Sequence, residues 1–166
     1  MPEAVIVEAV RTPIARGKQI AGELSGVHAA ELLAMSYRGL IERSGLDYSD
    51  IEQIVSGCVT QAGEQSNNIA RNAWLSMGKN YSTGAASLDT QCGSAQAANH
   101  MISALVSSGQ INIGIAGGVE AMSRVGLGAN AYNGPNCRLA VGHDARSVFL
   151  GGTNCKKPWF NSPGCR

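Results

Sequence analysis

One cysteine, Cys92, has a sequence context that favours nucleophilic chemistry. It follows a short apolar run at residues 86–89, which predicts a buried strand, and it precedes a helical pattern. At a helix N-terminus, unpaired N–H groups and the helix dipole stabilise negative charge, so we expect this thiol to be more nucleophilic than an average cysteine. The residues alone leave a second interpretation equally open. Most cysteines are small buried hydrophobes, and no general base is visible near this one.

The elements that position Cys92 follow from the spacing of apolar residues. The helix after the cysteine shows the i, i+3, i+4, i+7 rhythm, and Gly109 is placed to end it. The residues predicted to face inward on this helix are Ala95, Ala98, Met101, Ile102, Leu105 and Val106. Further strands are predicted at residues 4–9, 51–59 and 111–115, and further helices at residues 28–44 and 69–77. Strands that alternate with helices indicate an α/β fold with a mixed, mostly parallel sheet covered by helices.

Three segments that follow predicted strands are candidates for one site. They are Cys92, the polar loop at residues 61–68, and residues 118–123. In parallel sheets the reactive groups gather beyond the carboxyl ends of the strands. We therefore expect these segments to converge.

Composition excludes several classes of function. The chain has 166 residues, enough for one sizeable core, and a net charge of +1 with both signs interspersed. Only 5% of the residues are aromatic. The near-zero net charge and the low aromatic content give no indication of a nucleic-acid partner or of binding to an anionic membrane. The N-terminus lacks the pattern of a signal peptide, and no apolar run approaches the roughly 18 residues of a membrane span.

The cysteines point to a reducing compartment. There are five, an odd number, and none is in C-x-x-C spacing, so neither a disulfide framework nor a zinc site is indicated. We expect a cytoplasmic protein without a bound metal.

Several motifs together resemble the N-terminal half of a thiolase, the family of acetyl-CoA C-acyltransferases and acetyltransferases. The strongest are Leu88-Asp-Thr-Gln-Cys92-Gly-Ser-Ala-Gln-Ala97 and Gly114-Ile-Ala-Gly-Gly-Val-Glu-Ala-Met-Ser123. Residues 7–13, 55–61 and 63–71 support them in the family's order. The resemblance extends over about residues 3–130.

The resemblance implies a fold and a reaction. Each half of such a protein is a βαβαβαββ unit, and the two halves form a five-layer body that usually forms a homodimer. Cys92 matches the catalytic nucleophile, whose thiolate attacks the keto carbon of a 3-oxoacyl-CoA, keeps the acyl group as a thioester and passes it to a second CoA. Its backbone N–H is expected to contribute to an oxyanion hole. The partners are acyl-CoA and CoA thioesters, with coenzyme A as a substrate and no cofactor.

The departures from the family pattern are as informative. The family's C-terminal half carries a Gly-His-Pro histidine, an Asn-Glu-Ala-Phe motif and a Cys-x-Gly cysteine, and none of these motifs occurs in the sequence. We therefore assign residues 1–130 to an incomplete thiolase N-terminal-type domain and residues 131–166 to an irregular, non-family tail. The chain alone is predicted to be an inactive fragment. The alternatives are a non-catalytic folding or dimerisation remnant that needs a separate C-terminal half, and a related condensing enzyme such as a ketoacyl synthase.

Other candidate residues receive structural interpretations. His100 lies eight residues after Cys92, about 12 Å along a helix, too far for a general base, so it is predicted to be a surface residue. Glu120 is predicted to make a structural hydrogen bond under the Cys92 turn. The polar residues 64–68 and Arg71 are predicted to form a structural network, and Cys58 to lie in the core.

Overall fold

The computed structural model describes residues 3–18 and 21–131 of the chain. Its helices and strands are α1 (Ala29–Ser44), β1 (Gln53–Gly57), α2 (Ile69–Ser76), β2 (Gly84–Leu88), α3 (Ser94–Ser107) and β3 (Gly114–Gly118). Short 3-10 turns occur at Tyr48–Asp50, Gly63–Gln65 and Ala129–Ala131. The chain up to Gly126 forms one compact unit, and the last of these turns belongs to a second. The predicted irregular tail lies outside the described residues, apart from residue 131.

The three described strands form one parallel sheet in the order β2-β1-β3. Ile54 at the centre of β1 is the register partner of Ala85 on β2 and of Ile115 on β3. Parallel neighbours require crossover connections, and helices supply them here. The predicted α/β class is confirmed.

Alternate residues along β1 face different helices. Ile54 packs with α1 and α2 in a cluster that includes Tyr37 and Trp74, whose rings meet edge to face at 6.0 Å. Val55, the next residue, packs with Ala98 and Ile102 of α3 on the other side of the sheet. The period of two residues therefore divides the structure into three layers, with α1 and α2 on one face and α3 on the other.

Two residues mark the ends of α1. His28 caps its start, because the Nδ1 atom accepts a hydrogen bond of 3.1 Å from the backbone N–H of Ala30. Gly45 ends it in the left-handed conformation with φ of 71°, which costs glycine little. The helix predicted over residues 28–44 is thus confirmed to within one residue.

The predicted buried strand at residues 4–9 is wrong. The segment is not part of the described sheet, and the side chains of Val5, Ile6 and Val7 are 75%, 85% and 73% exposed. Its β-branched composition suits a strand, but a strand also needs a neighbour for its backbone hydrogen bonds. The described residues offer it none.

Burial was overestimated at two other places. The strand predicted at residues 86–89 is half-buried along its whole length, because β2 is an edge of the described sheet. On α3, Ala95 and Met101 were predicted to face inward but are exposed. The helix contacts the sheet through Ala98 and Ile102, and among the described residues nothing covers its opposite side.

Gly39 within α1 and Gly45 at its C-terminal end provide a matched test of this description. A Cβ at either Gly39 or Gly45 would meet no atom within 4 Å, yet only Gly45 has a positive φ. We expect Gly39→Ala to raise the free energy of unfolding by roughly 0.5–1 kcal/mol, because alanine loses less backbone entropy in a helix. Gly45→Ala should lower it by about 1 kcal/mol or more, because the left-handed conformation strains alanine. Urea unfolding of both variants checks this, and equal effects would contradict it.

Candidate active site at the Cys92 turn

Cys92 lies in the turn between β2 and α3. The strand ends at Leu88 and the helix begins at Ser94 with Gly93 as its N-cap, so the cysteine immediately precedes the cap. The side chain is exposed, and its thiol is free. The neighbouring Gln91 has a φ of 56°, a left-handed conformation that non-glycine residues rarely adopt. The chain therefore turns sharply here and presents the cysteine to solvent.

Polar side chains hold this turn. The N–H of Gln91 donates to Oδ1 of Asp89 at 2.7 Å. The Ser94 hydroxyl accepts from the N–H of Thr90 at 3.0 Å and donates to the carbonyl of Gln91 at 2.6 Å. A left-handed residue costs roughly 1–2 kcal/mol, and these hydrogen bonds offset that cost on both sides of Gln91. The position of Cys92 is thus fixed by its neighbours.

Two glycines let α3 approach the sheet beneath the turn. A Cβ added to Gly57, the last residue of β1, would lie 2.5 Å from the backbone carbon of Ser94. A Cβ added to Gly118, the register partner of Gly57 on β3, would lie 2.8 Å from the carbonyl oxygen of Gly57 and 3.3 Å from Cβ of Ala95. Neither position has room for a side chain. We call Gly57 and Gly118 the glycine platform.

The loops after β1 and β3 are joined by a carboxylate and a buried amide. Glu120 accepts from the N–H of Val59 through Oε2 and from Nε2 of Gln65 through Oε1, both at 2.9 Å. Gln65 is fully buried, and its Oε1 accepts from the N–H of Ala121 at 2.6 Å. Glu120 thus makes the predicted structural hydrogen bonds, but to the loop after β1. The prediction that it lies under the Cys92 turn is not supported by these contacts.

The predicted network of residues 64–68 with Arg71 divides into separate groups. Glu64 pairs with Arg124, which donates from Nε at 2.6 Å and from Nη2 at 2.5 Å. Arg71 instead donates to the carbonyls of Tyr81 and Thr83 in the loop before β2. Glu64 therefore contacts the segment after β3, whereas Arg71 contacts the loop before β2. Sequence spacing does not distinguish these two sets of contacts.

The three strand ends lie level with one another. Gly57 of β1 is the register partner of both Leu88 and Gly118, and the N–H of Cys58 donates to the carbonyl of Leu88 at 2.9 Å. The segments that follow these strands leave the sheet at the same edge, as predicted. The direct side-chain links described above join the loops after β1 and β3, whereas α3 meets these strands through the glycine platform.

The described residues supply no base to Cys92. None of their side chains forms a hydrogen bond with its sulfur, and His100 is exposed on α3, in agreement with its prediction as a surface residue. The catalytic role of Cys92 stays a prediction.

Cys58 contrasts with Cys92. It is 1% exposed and packs with Leu32 and Ile69, which confirms the predicted core position. Burial, reinforced by the carboxylates of Glu120 and Asp89, raises the pKa of its thiol to about 12. Cys58 is therefore protonated at neutral pH and protected from reagents.

A cavity of about 280 Å³ lies apart from the cysteine. Its walls are residues 12–17, side chains of α1, and residues 118–123 after β3; Cys92 does not line it. Among the described residues there is also no group of three side chains suited to hold a metal ion. No described helix is long and apolar enough to cross a membrane.

Comparison with known proteins places these features in a family. A family model for the N-terminal domain of thiolases matches residues 4–145. The chain belongs to the thiolase family. A steroid 3-ketoacyl-CoA thiolase of Mycobacterium tuberculosis is 34% identical over 164 residues, which cover 99% of this chain and 37% of the relative. A beta-ketoadipyl-CoA thiolase of Pseudomonas aeruginosa is 40% identical over 74% of this chain and 30% of its own length.

A 3-ketoacyl-CoA thiolase of Shewanella frigidimarina is 42% identical over 126 residues, 75% of this chain and 32% of the relative. The chain thus spans about a third of the length of the thiolases it matches. The predicted membership of the thiolase family is confirmed. The matched region continues to residue 145, past the boundary predicted at residue 130, and that boundary stays a prediction.

The glycine platform of this thiolase chain can be tested by adding one methyl group. We expect Gly57→Ala to lower the free energy of unfolding by about 1–3 kcal/mol, because the new Cβ meets backbone atoms of Ser94 that have no room to move. The matched control is Gly117→Ala on β3, where a Cβ meets nothing within 4 Å. The control should be neutral or gain up to about 1 kcal/mol. Denaturant unfolding measures both, and a neutral Gly57→Ala would refute the close approach.

The Glu64–Arg124 pair predicts a pH dependence. Hydrogen bonds from Arg124 lower the pKa of Glu64 from its ordinary value of 4.5. A lowered folded-state pKa contributes stability above the unfolded pKa, and this contribution is lost as the pH falls through the folded pKa. At pH 7 the free energy of unfolding of the wild type should therefore be slightly higher than that of Glu64→Gln. This difference should become smaller at pH 3.

Urea unfolding at both pH values measures this difference. Glu42→Gln on α1 is the matched control, because Glu42 is exposed and forms no ion pair among the described residues. Its difference from wild type should be the same at pH 7 and pH 3. A Glu64→Gln difference that grows on acidification would contradict the assignment.

Proposed function

We propose that this chain contributes the nucleophilic half of a thiolase-type acyltransferase site, with Cys92 as the residue that accepts the acyl group. The observation that carries the proposal is the exposed thiol on a fixed turn between β2 and α3, in a chain of the thiolase family. The names of the relatives, all 3-ketoacyl-CoA or beta-ketoadipyl-CoA thiolases, support 3-oxoacyl-CoA thioesters as the substrate class.

The reaction follows from a thiolate at this position. The sulfur of Cys92 attacks the keto carbon of the 3-oxoacyl-CoA and forms a carbon–sulfur bond. The bond between the keto carbon and the adjacent methylene carbon then breaks, and its electron pair stays on that carbon, which takes up a proton as acetyl-CoA leaves. The thiol of a second CoA attacks the acyl thioester and releases the cysteine. Coenzyme A is thus a substrate, and the scheme requires no cofactor.

The turn is suited to hold charge but not to move protons. The transient oxyanion needs N–H donors, and the N–H of Cys92 at the start of α3 is the candidate donor. Proton transfer needs a base or acid within hydrogen-bond reach, and the described residues supply none to the sulfur. We therefore propose that the 166-residue polypeptide alone accepts an acyl group at most once and does not turn over. We also retain a cytoplasmic location as a prediction.

A second candidate function is a non-catalytic folding or dimerisation remnant that associates with a separate C-terminal half. The exposed side of α3, with Ala95 and Met101, supports it, since apolar residues on an uncovered helix face suit burial against a partner. In this case Cys92 would be exposed but chemically ordinary. The ketoacyl-synthase alternative has no support from the matched family.

Acylation of Cys92 separates these candidates. Incubation of the polypeptide with a short 3-oxoacyl-CoA should give a mass increase equal to one acyl group on the peptide that contains Cys92. Sustained thiolysis with free CoA should remain below about one turnover per chain, because the described residues place no base beside the Cys92 thiol. Mass spectrometry and a thiolysis assay measure the two quantities.

Two cysteines provide the controls. Cys92→Ser should abolish the adduct, and Cys58 in the same sample should stay unmodified, because it is buried. An iodoacetamide reaction at Cys92 without any acyl adduct would favour the remnant. Normal turnover by the isolated polypeptide would refute the proposal that it is inactive alone.

A further inference from the structure

The carbonyl oxygen of Gln91 is held by two donors of one residue, Ser94. The backbone N–H of Ser94 donates to it at 3.0 Å, and the Ser94 hydroxyl donates to it at 2.6 Å. The same hydroxyl accepts from the N–H of Thr90 at 3.0 Å, so it bridges the chain on both sides of the left-handed Gln91. Because Ser94 is only 5% exposed, water competes little for these bonds. Ser94 therefore sets the orientation of the Gln91 carbonyl.

The orientation of this carbonyl fixes the direction of the Cys92 N–H. The two groups belong to one planar peptide unit, and in a trans unit the C=O and the N–H point to opposite sides. The Gln91 oxygen is directed at the first residue of α3, so the N–H of Cys92 is directed away from Ser94. A rotation of Gln91 out of the left-handed conformation turns both groups together.

The backbone preference of Gln91 works against this orientation. A residue with a Cβ adopts a φ of 56° only when its surroundings impose it. Asp89 contributes on one side, because its Oδ1 accepts from the N–H of Gln91 at 2.7 Å. That bond constrains the peptide unit before Gln91. The unit after Gln91, which carries the Cys92 N–H, is constrained by Ser94.

We propose that Ser94 is a positioning residue for acyl transfer to Cys92. Its hydroxyl aims the Cys92 N–H at the oxygen of the acyl group that the sulfur attacks. The proposal rests on the acyl transfer proposed above, and it adds the residue that orients the hydrogen-bond donor. Both hydrogen bonds of the Ser94 hydroxyl go to backbone groups, so Ser94 acts through the peptide unit between Gln91 and Cys92. Its effect should be confined to reactions in which an oxyanion develops.

Two reagents separate this role from a packing role. The simple thioester S-acetyl-N-acetylcysteamine transfers its acetyl group to a thiolate. A carbon–sulfur bond forms to Cys92 while the carbonyl electron pair moves onto the oxygen. This pair returns as the original carbon–sulfur bond breaks, and the leaving thiolate takes up a proton. Iodoacetamide instead alkylates the sulfur at a saturated carbon with loss of iodide, and no oxyanion develops. In the ratio of the two rates, the exposure and ionisation of the thiol cancel.

Removal of the Ser94 hydroxyl should lower this ratio. In the full chain, we expect Ser94→Ala to reduce the ratio of acetylation to alkylation at Cys92 about tenfold. The expected loss is smaller than the 10²–10³ of an enclosed oxyanion site, because this turn is exposed. The alkylation rate itself should stay close to that of the wild type. Mass spectrometry of the peptide that contains Cys92 measures both rates.

Ser108→Ala is the matched control at the other end of α3. It also removes a serine hydroxyl that donates to a backbone carbonyl, that of Leu105 at 3.0 Å. Both rates at Cys92 should be unchanged in this variant. If Ser94→Ala lowers the acetylation and alkylation rates equally, the hydroxyl has a packing role and the proposal is overturned. An unchanged ratio in Ser94→Ala overturns it as well.

A glycine at position 91 tests the route from Ser94 to Cys92. Glycine adopts a positive φ without strain, so the turn no longer needs the hydroxyl to impose it. The double variant Gln91→Gly/Ser94→Ala should therefore regain most of the lost ratio. A folded double variant with a ratio as low as that of Ser94→Ala contradicts the proposal, because the loss then does not arise from the conformation of Gln91.

The wild-type chain gives a measurement that needs no variant to fold. The ratio at Cys92 should be about tenfold higher in the native chain than in urea above the unfolding transition, where the N–H is no longer oriented. Equal ratios in the two states overturn the proposal. Failure of the proposed function is observed separately, as a native chain that forms no adduct with a 3-oxoacyl-CoA. A ratio that still depends on Ser94 in that chain supports the positioning role alone.

Discussion

The site depends on how closely the first turn of α3 approaches the sheet. The backbone of Ser94 lies where a side chain of Gly57 would be, and a Cβ on Gly118 would lie 3.3 Å from Cβ of Ala95 on α3. A packed interior does not absorb even one added methyl group at such distances. The two glycines thus fix the height of the helix above the strands. The position of the turn that carries Cys92 therefore depends on the contact between α3 and these two glycines.

The polar interactions near the site serve the backbone. Asp89 and Ser94 hold the left-handed Gln91, and Glu120 with the buried Gln65 ties the loop after β1 to the loop after β3. Each of these side chains is already engaged with backbone or amide groups, so none is poised over the Cys92 sulfur. The described structure fixes the position of the exposed Cys92 thiol and places no base beside it. This arrangement agrees with a chain that spans about a third of its thiolase relatives.

The sequence correctly predicts those features that depend on residues close to one another in the chain. The boundaries of α1, its end at Gly45, the core position of Cys58 and the strand–turn–helix around Cys92 all follow from short-range signals. The platform at Gly57 and the burial of Gln65 depend on contacts between segments distant in sequence, and single-residue spacing carries no information about them. Arg71 and Arg124 show the same limit, because both lie near polar loops yet bind different ones.

The wrong predictions share a cause. Val5–Val7 and the outer residues Ala95 and Met101 were assigned inward positions because their periodicity is that of buried elements, yet they are exposed in the described structure. Periodicity indicates that a face is suited to burial, and it does not state which segment of the fold covers that face. On α3 the same exposed side carries Met101 beside the polar His100, so the helical period overstates the width of the buried stripe.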